Sequence, residues 1–453
     1  MGCVWSKGNT SVSRIFGEKM SSDNQHMHVR NFLALVVGQY GSMFCTIFFS
    51  LWLTRLLSPS DFGIVAISLF YFNFFNWATE WGWEQGLIAH KEIPLHTAAS
   101  THFFVRFCTG ILPFIVFLFG YPFFKTKIAH GYYTIVLLLA VCYALEKISA
   151  TYKALLEREN KLKKLAMLEF LAIILSYMCA VCAALLGYGV VSLVVQRLVE
   201  KLFLLVGYGY ASPWKFGADI KFSVIKTFFK TFGIATWIGM IFSLTLYDFM
   251  PFLLGNIEGV YAAGIYAKAF SMATFPLMLT AIFARMTTPL YTRYQYSILD
   301  LQRVFLKAQT FKFVLLFPAQ LFLCCTASYW IPYAFGVAWI SMVPVYRLMT
   351  VYGFCRAFFD DVPNLFTYGF KNPWVLTKNQ IIQSLIIMVS GPLLVYCFGV
   401  CGGAITSVIS MVVGTLIVWK TSWQKLGCSF DLCLKTIKNL LYQGKKIILR
   451  VSG

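Results

Sequence analysis

Twelve apolar runs of about twenty residues each, joined by short turns, restrict this chain to one class of fold. Twenty residues of helix span about 30 Å, the thickness of a bilayer's hydrocarbon core. Lipid offers no partner to backbone N–H and C=O groups, so apolar spans must satisfy them within helices. The runs fall near 32–55, 62–87, 98–121, 132–151, 166–187, 189–208, 232–254, 260–284, 312–332, 342–366, 374–398 and 401–419. Ser58-Pro59-Ser60, Gly187-Tyr188-Gly189, Gly255-Asn256 and the stretch from Gly399 to Gly403 mark turns between them. The expected fold is an all-α polytopic membrane protein of about twelve transmembrane helices. The first run begins near Phe32 and is too long for a signal-peptide core, so no cleavable leader is expected.

Charged residues make up 12% of the 453 positions, against about 25% in soluble proteins. That deficit excludes an ordinary soluble enzyme and a disordered chain. The net charge of +20 would otherwise suggest nucleic acid, but its distribution points to a membrane instead. Of 38 Lys and Arg, 28 fall on the two tails and five alternate loops, and three (Arg55, Lys125 and Lys127) on the opposite side. Such a bias places both termini in the cytoplasm, in agreement with an even number of spans. The longest polar segments, near 152–165, 211–232 and 285–312, share that side. They are expected to lie on anionic phospholipid headgroups or to be solvated loops. The cysteines Cys45, Cys142, Cys179 and Cys182 sit inside apolar runs and read as small hydrophobes.

An internal repeat divides the spans. Leu56-Leu57-Ser58-Pro59-Ser60-Asp61 is echoed 197 residues later by Leu253-Leu254-Gly255-Asn256-Ile257-Glu258, each followed by a glycine, Gly63 or Gly259. Six spans are an even number, so two such units insert with the same orientation, related by an axis along the membrane normal. The expected organisation is a polar cytoplasmic tail over 1–30, a six-helix lobe over 31–210, a linker over 211–231, a second six-helix lobe over 232–420 and a basic tail over 421–453. Two such bundles would face each other across a V-shaped central cleft.

Ionisable groups at membrane depth are costly and mark functional positions. The bases are Arg106, Lys147, Arg197, Lys201, Lys268, Arg347 and Arg356; the acids include Glu80, Glu84, Glu146, Glu200, Asp248, Asp360 and Asp361. Arg197 with Glu200 and Arg356 with Asp360 have the spacing of pairs within one helix. Asp248 and Lys268 flank the turn near residue 257 at similar depth and could pair across two helices. Such a pair would either fix helix register or sense a proton or an anionic headgroup. No Walker A element occurs, so ATP hydrolysis is not expected. The outer acids Asp61 and Glu258 are too far apart to suggest a catalytic pair.

Several stretches follow one another in a familiar order: Leu53-Thr54-Arg55-Leu56-Leu57-Ser58-Pro59-Ser60-Asp61-Phe62-Gly63, Thr79-Glu80-Trp81-Gly82 with Gly86-Leu87-Ile88, and Val194-Val195-Gln196 with Ser212-Pro213-Trp214-Lys215. They continue through Asp248 to Lys268, Pro289-Leu290-Tyr291-Thr292-Arg293, and Phe335-Gly336 with Trp339. In these stretches the chain resembles the polysaccharide flippases of the multidrug/oligosaccharidyl-lipid/polysaccharide exporter superfamily. Trp81, Trp83 and Glu84 depart from the family's smaller residues. The resemblance implies a non-enzymatic secondary transporter that flips an undecaprenyl-pyrophosphate-linked oligosaccharide to the outer leaflet of a bacterial inner membrane, by alternating access. A proton, Na+ or the membrane potential would drive it, and a polysaccharide polymerase or ligase would receive the product. Arg55, Asp248 and Lys268 match motif positions. With the other bases judged by depth, the candidate substrate-binding set is Arg55, Lys268, Arg347, Arg356, Lys147 and Arg197, and the candidate ion-coupling pair is Asp248 and Glu80. No cofactor, metal, catalytic residue or nucleic-acid partner is expected. A multidrug/toxin-extrusion-type cation antiporter is the alternative. Against it, no acid occurs between Asn31 and Arg55, where a cation extruder would need one.

Overall fold

The computed structural model describes residues 41, 44–90, 92–124, 130–159, 161–212, 214, 215, 217, 219–277, 280, 287, 288, 290–372 and 374–428. The N-terminal tail, and the basic tail beyond 428, lie outside the described residues. In chain order the main helices are α1 (Phe44–Leu56), α2 (Pro59–Thr79), a short α3 (Trp83–Ala89), α4 (Leu95–Phe119), α5 (His130–Arg158), α6 (Leu162–Leu185) and α7 (Val191–Ala211). There follow α8 (Phe222–Phe228), α9 (Ile234–Ser243), α10 (Phe249–Ile257), α11 (Val260–Thr274), α12 (Ile298–Cys325), α13 (Ala327–Phe335), α14 (Met342–Phe359) and α15 (Trp374–Leu426). No strand occurs among the described residues.

Among the described residues, seven helices are individually long and apolar enough to cross a bilayer. Two of these are interrupted, the seventh crossing and the last helix. The seventh joins α8, α9 and α10 through two π-helical segments, Phe229–Gly233 and Leu244–Asp248. The 53-residue α15 is two crossings, because Gly399 at φ 56° folds the chain back on itself. A Cβ at Gly402 would lie 1.8 Å from the Leu394 carbonyl oxygen, so only glycine allows the two arms to meet there. The fold is thus two-lobed and helical, with about twelve crossings.

The buried apolar side chains fall into separate cores. The largest runs from Met250 to Leu426 and includes Trp339, Tyr346 and Phe366. The others lie mainly among α1–α7, one around Phe72, Phe117 and Leu139, another around Leu53, Val65 and Val181. The repeat reappears in space. Asp61, at the start of α2, lies beside Gly189 in the turn between α6 and α7; a Cβ there would be 3.7 Å from its Oδ1. Glu258, just before α11, lies beside Gly399 between the arms of α15, 3.5 Å from such a Cβ. Each acid meets a left-handed glycine at the turn between the fifth and sixth crossings of its own half. The caps themselves differ: Ser58 and Asp61 form a capping box, whereas Gly259 caps α11 without a side-chain bond.

The halves meet along α2, which packs against α9, α10 and α11. At its N-terminal end the backbones touch: a Cβ on Gly63 would sit 1.7 Å from the Val260 carbonyl oxygen, and one on Gly264 1.8 Å from that of Pro59. Further along, Phe70 stacks on Phe252 with centroids 4.1 Å apart and Trp77 on Trp237 at 5.8 Å.

Parts of two segments expected either on lipid headgroups or as solvated loops are tied into the protein. Trp214 is buried among Phe103 and Tyr152, while Lys221 N donates to Thr101 Oγ1 at 3.0 Å and Thr97 bonds Asp219. The linker is therefore docked onto α4 and α5, where an indole loses more water-exposed apolar surface than it would at a headgroup. Lys312, counted with a cytoplasmic loop, is wholly buried inside α12 against Asp361.

Candidate functional site

At the interface between the halves, Lys268 projects from α11 and is buried at 4% exposure. Its Nζ donates to Ser50 Oγ on α1 at 2.9 Å and lies over the rings of Phe62 and Phe335, at 4.9 and 5.5 Å. Among the described residues it has no carboxylate within ion-pair distance. Taking an ammonium out of water costs several kcal/mol, about what a well-placed counter-charge would return. A hydroxyl and two aromatic faces return less. Lys268 therefore lacks, among the described residues, a counter-charge that an anion brought beside it would supply.

Asp248 also reaches across. Asn73 Nδ2 on α2 donates to its Oδ1 at 2.9 Å, and no cation is paired with it among the described residues. The expected contact between Asp248 and Lys268 is absent. Asp248 closes the π-helical segment Leu244–Asp248, and equal depth leaves azimuth open, since an α-helix turns about 100° per residue. The carboxylate faces α2, while Lys268 faces α1.

Glu80 caps the end of α2 and enters a second cluster within the N-terminal half. Arg106 Nη2 donates to both of its oxygens, at 2.9 and 2.8 Å, and Arg106 also pairs with Glu84. Lys147 Nζ reaches Glu80 at 3.2 Å, bonds Asn76 and lies over the Tyr143 ring at 5.3 Å. One turn below Arg106, His102 Nδ1 bonds Thr151 Oγ1 at 2.8 Å. Arg106 is the hub, although depth alone marks it only as one of seven intramembrane bases. The signal lies in Glu80 and Glu84, four apart and both at depth, which together demand a shared cation.

The other candidates are dispersed. Arg356 pairs with Asp360 at 3.1 Å, as its spacing predicts, and stacks over Tyr247 at 5.2 Å. Arg347 is exposed and turned back to Ser328 Oγ, at 2.7 Å, and the Cys324 carbonyl, at 3.4 Å. Arg55 is exposed at the end of α1, and Arg197 is half-buried on α7. Glu200 is taken by Lys201 at 3.0 Å, so the expected Arg197–Glu200 pair is not seen. The structure thus brings Glu80 and Lys147 into one cluster and sets Lys268 and Asp248 on the lobe interface, without joining the rest to either.

A third buried cluster mirrors the second. In the C-terminal half Lys312 pairs with Asp361, which also accepts from Tyr291 Oη at 3.0 Å and Gln309 Nε2 at 2.9 Å. Both halves bury a cation of their third crossing, Arg106 on α4 and Lys312 on α12, against a carboxylate. No cluster of metal-ligating side chains occurs among the described residues.

In similarity to known proteins, residues 52–344 match the model of a family described as polysaccharide biosynthesis protein. The chain is 23% identical over 369 residues to the lipopolysaccharide biosynthesis protein WzxC of Escherichia coli, covering 81% of this chain and 73% of that one. It is 22% identical over 269 residues to the teichuronic acid biosynthesis protein TuaB of Bacillus subtilis, 57% of this chain and about half (54%) of that one. Among solved structures, an inward-facing multidrug resistance MATE family transporter of the MOP superfamily superposes with a TM-score of 0.68 at 14% identity, covering 87% and 98% of the two chains. The lipid II flippase MurJ in an inward closed conformation gives 0.67 at 13%, covering 92% and 93%. These likenesses establish the two-lobed transporter fold, and with the match over most of its length the chain belongs to the polysaccharide biosynthesis protein family of multi-pass membrane proteins.

Proposed function

We propose that the protein is a secondary transporter that flips a lipid-linked oligosaccharide, with undecaprenyl pyrophosphate as the lipid carrier, to the outer leaflet of a bacterial inner membrane. Both termini face the cytoplasm in this reading. The observation that carries it is Lys268, a buried cation at the lobe interface balanced only by a serine and two aromatic rings among the described residues. A pyrophosphate supplies the missing charge, and charge-assisted bonds to it are strong where water is excluded. Arg356 and the outer bases Arg55 and Arg347 would add positive field along the route, with Lys147 and Arg197 on the N-terminal side. Alternating access would part the α2 contacts, and Asp248 and Glu80 would couple that motion to a proton, Na+ or the membrane potential. A polymerase or ligase would then consume the product. The named chemistry of the relatives, lipopolysaccharide and teichuronic acid biosynthesis and lipid II flipping, agrees with such a substrate.

The test is the fate of lipid-linked sugar in a deletion strain. Extracted radiolabelled intermediate is assigned to a leaflet by its access to an added membrane-impermeant glycosidase. Accumulation on the cytoplasmic side with loss of surface glycan is expected. Normal surface glycan with new sensitivity to cationic dyes would instead make the protein a drug extruder.

A further inference from the structure

The N-terminal half contains a cavity of about 460 Å³ to which the transport reading gives no role. It lies between the end of α5, the start of α6 and the end of α7, at the membrane face that bears the inter-lobe linker. Five glutamates line it: Glu84, Glu146, Glu157, Glu169 and Glu200. Lys153 and Lys201 answer only part of that charge. Lys201 pairs with Glu146 at 3.1 Å and with Glu200 at 3.0 Å, and Lys153 with Glu169 at 3.2 Å. Glu157 has no ion pair among the described residues. At about 30 Å³ per molecule the volume accommodates on the order of fifteen waters.

The inner wall adds an independent observation. Glu84 is held there by Arg106, which is 0% exposed, and both Nε and Nη1 of that guanidinium are buried without a hydrogen-bond partner. So is Nε2 of His102, at 1% exposure. Buried groups of this kind cost about 1–3 kcal/mol each when unmatched. A ligand that both donates and accepts, entering beside Glu84, matches them, and water is the smallest. Beyond Arg106 the polar contacts continue through Glu80 and Lys147 to Asn76. One turn along α2 from Asn76 stands Asn73, which holds Asp248 at the lobe interface.

We propose that this cavity is a cation-selective aqueous vestibule that delivers protons to Glu84, a site distinct from the lobe-interface cation Lys268. The groups facing Glu84 are Glu80 from α2, Arg106 from α4, and Glu146, Lys147 and Glu157 from α5. A proton passes from hydronium to a Glu84 carboxylate oxygen and leaves a water molecule. Arg106 then has one carboxylate, Glu80, where it had two, and the altered field reaches Lys147, Asn76 and the Asn73–Asp248 contact. The coupling rests on the transport reading; the vestibule itself does not.

The test uses the full-length protein in inside-out vesicles. Ala150, half-buried on the cavity wall, is replaced by cysteine. Its modification by a cationic and an anionic methanethiosulfonate of similar size is followed by peptide mass spectrometry, which separates it from the native cysteines. The cationic reagent is expected to react at least tenfold faster. Equal rates, or no reaction, overturn the vestibule. Glu157→Gln at the rim is expected to lower that ratio at least threefold, and an unchanged ratio overturns the role given to the carboxylates. In proteoliposomes, the cavity-filling Ala150→Trp should slow pH-gradient-driven flipping at least tenfold and leave flipping without a gradient unchanged; equal driven rates in variant and wild type overturn proton delivery. Should wild-type flipping ignore the gradient, proton coupling fails while the labelling still decides the vestibule. Should the wild type not flip lipid-linked sugar, the transport reading fails alone.

Discussion

Lys268 Nζ donates to Ser50 Oγ at 2.9 Å, joining the two halves of the chain through a buried cation and a neutral hydroxyl. A hydroxyl can hold an ammonium in place but cannot cancel its charge, so the site remains attractive to an anion. Lys268→Ala is expected to abolish glycan export at normal protein level. Ser50→Ala removes one hydrogen bond to a charged group, about 1.5–3 kcal/mol, and is expected to weaken export without abolishing it. Surface glycan assayed beside an immunoblot decides this, and wild-type export in Lys268→Ala would take the residue out of the mechanism.

The Asn73–Asp248 bond is a second bridge, and its neutral partner is the informative half. Asn73→Asp would place two carboxylates where an amide now donates at 2.9 Å. Two unit charges about 4 Å apart repel by roughly 4 kcal/mol at an effective dielectric constant of 20. Such repulsion should favour states with the lobes apart. Spin labels at Tyr188→Cys and Tyr396→Cys, exposed residues in the two halves, should show longer distances in Asn73→Asp. An unchanged distribution would mean that this contact does not hold the lobes together.

Gly63 and Gly264 leave no room for a side chain, since each would drive a Cβ into a backbone carbonyl of the other half. Gly63→Val or Gly264→Val should therefore cost about 1–3 kcal/mol or more through overpacking. The change is expected as a lower midpoint of thermal unfolding in detergent, together with reduced export. A variant as stable as the wild type would show that the backbones need not touch.

The spans are legible in the sequence because a bilayer enforces length and apolarity on every crossing, and even the kinked α15 reads as two segments about Gly399–Gly403. The repeat is legible through Asp61 and Glu258, although their glycine partners, Gly189 and Gly399, are remote in sequence. Side-chain direction is not legible. Depth places Asp248 and Lys268 at one level but says nothing of azimuth, which turns about 100° per residue; Asp248 meets Asn73 on α2 and Lys268 meets Ser50 on α1. Lys312 reads as part of a loop because its basic neighbours Arg303 and Lys307 extend the same helix. Only the fold shows that Asp361, 49 residues on, meets it. Arg347 matches in depth but turns back to Ser328, a rotation that depth cannot report.

The basic bias of alternate loops predicts a definite orientation. Glu258, exposed just before α11, belongs to the sparsely basic side, and Lys420, exposed near the end of α15, to the basic side. In intact cells Glu258→Cys should react with an impermeant maleimide and Lys420→Cys should not, until the membrane is opened. The reverse pattern would invert the topology and move the proposed vestibule to the outer face.

Lys312 and Asp361 are each 0% exposed and paired. Removing one partner of such a pair strands a buried charge and costs about 3–5 kcal/mol, whereas replacing both is often close to neutral. Lys312→Met leaves the carboxylate with Tyr291 and Gln309, neither of which cancels its charge. Asp361→Asn leaves the ammonium with the Ala357 carbonyl at 3.0 Å. Each single variant should unfold at markedly lower denaturant. The double variant should recover at least about 2 kcal/mol relative to the sum of the two, the coupling that a double-mutant cycle measures. It should also regain export if the pair serves only to fix α12 against the end of α14. Recovery of stability without export would place Lys312 or Asp361 in the transport cycle itself, beside the equivalent cation Arg106 of the other half.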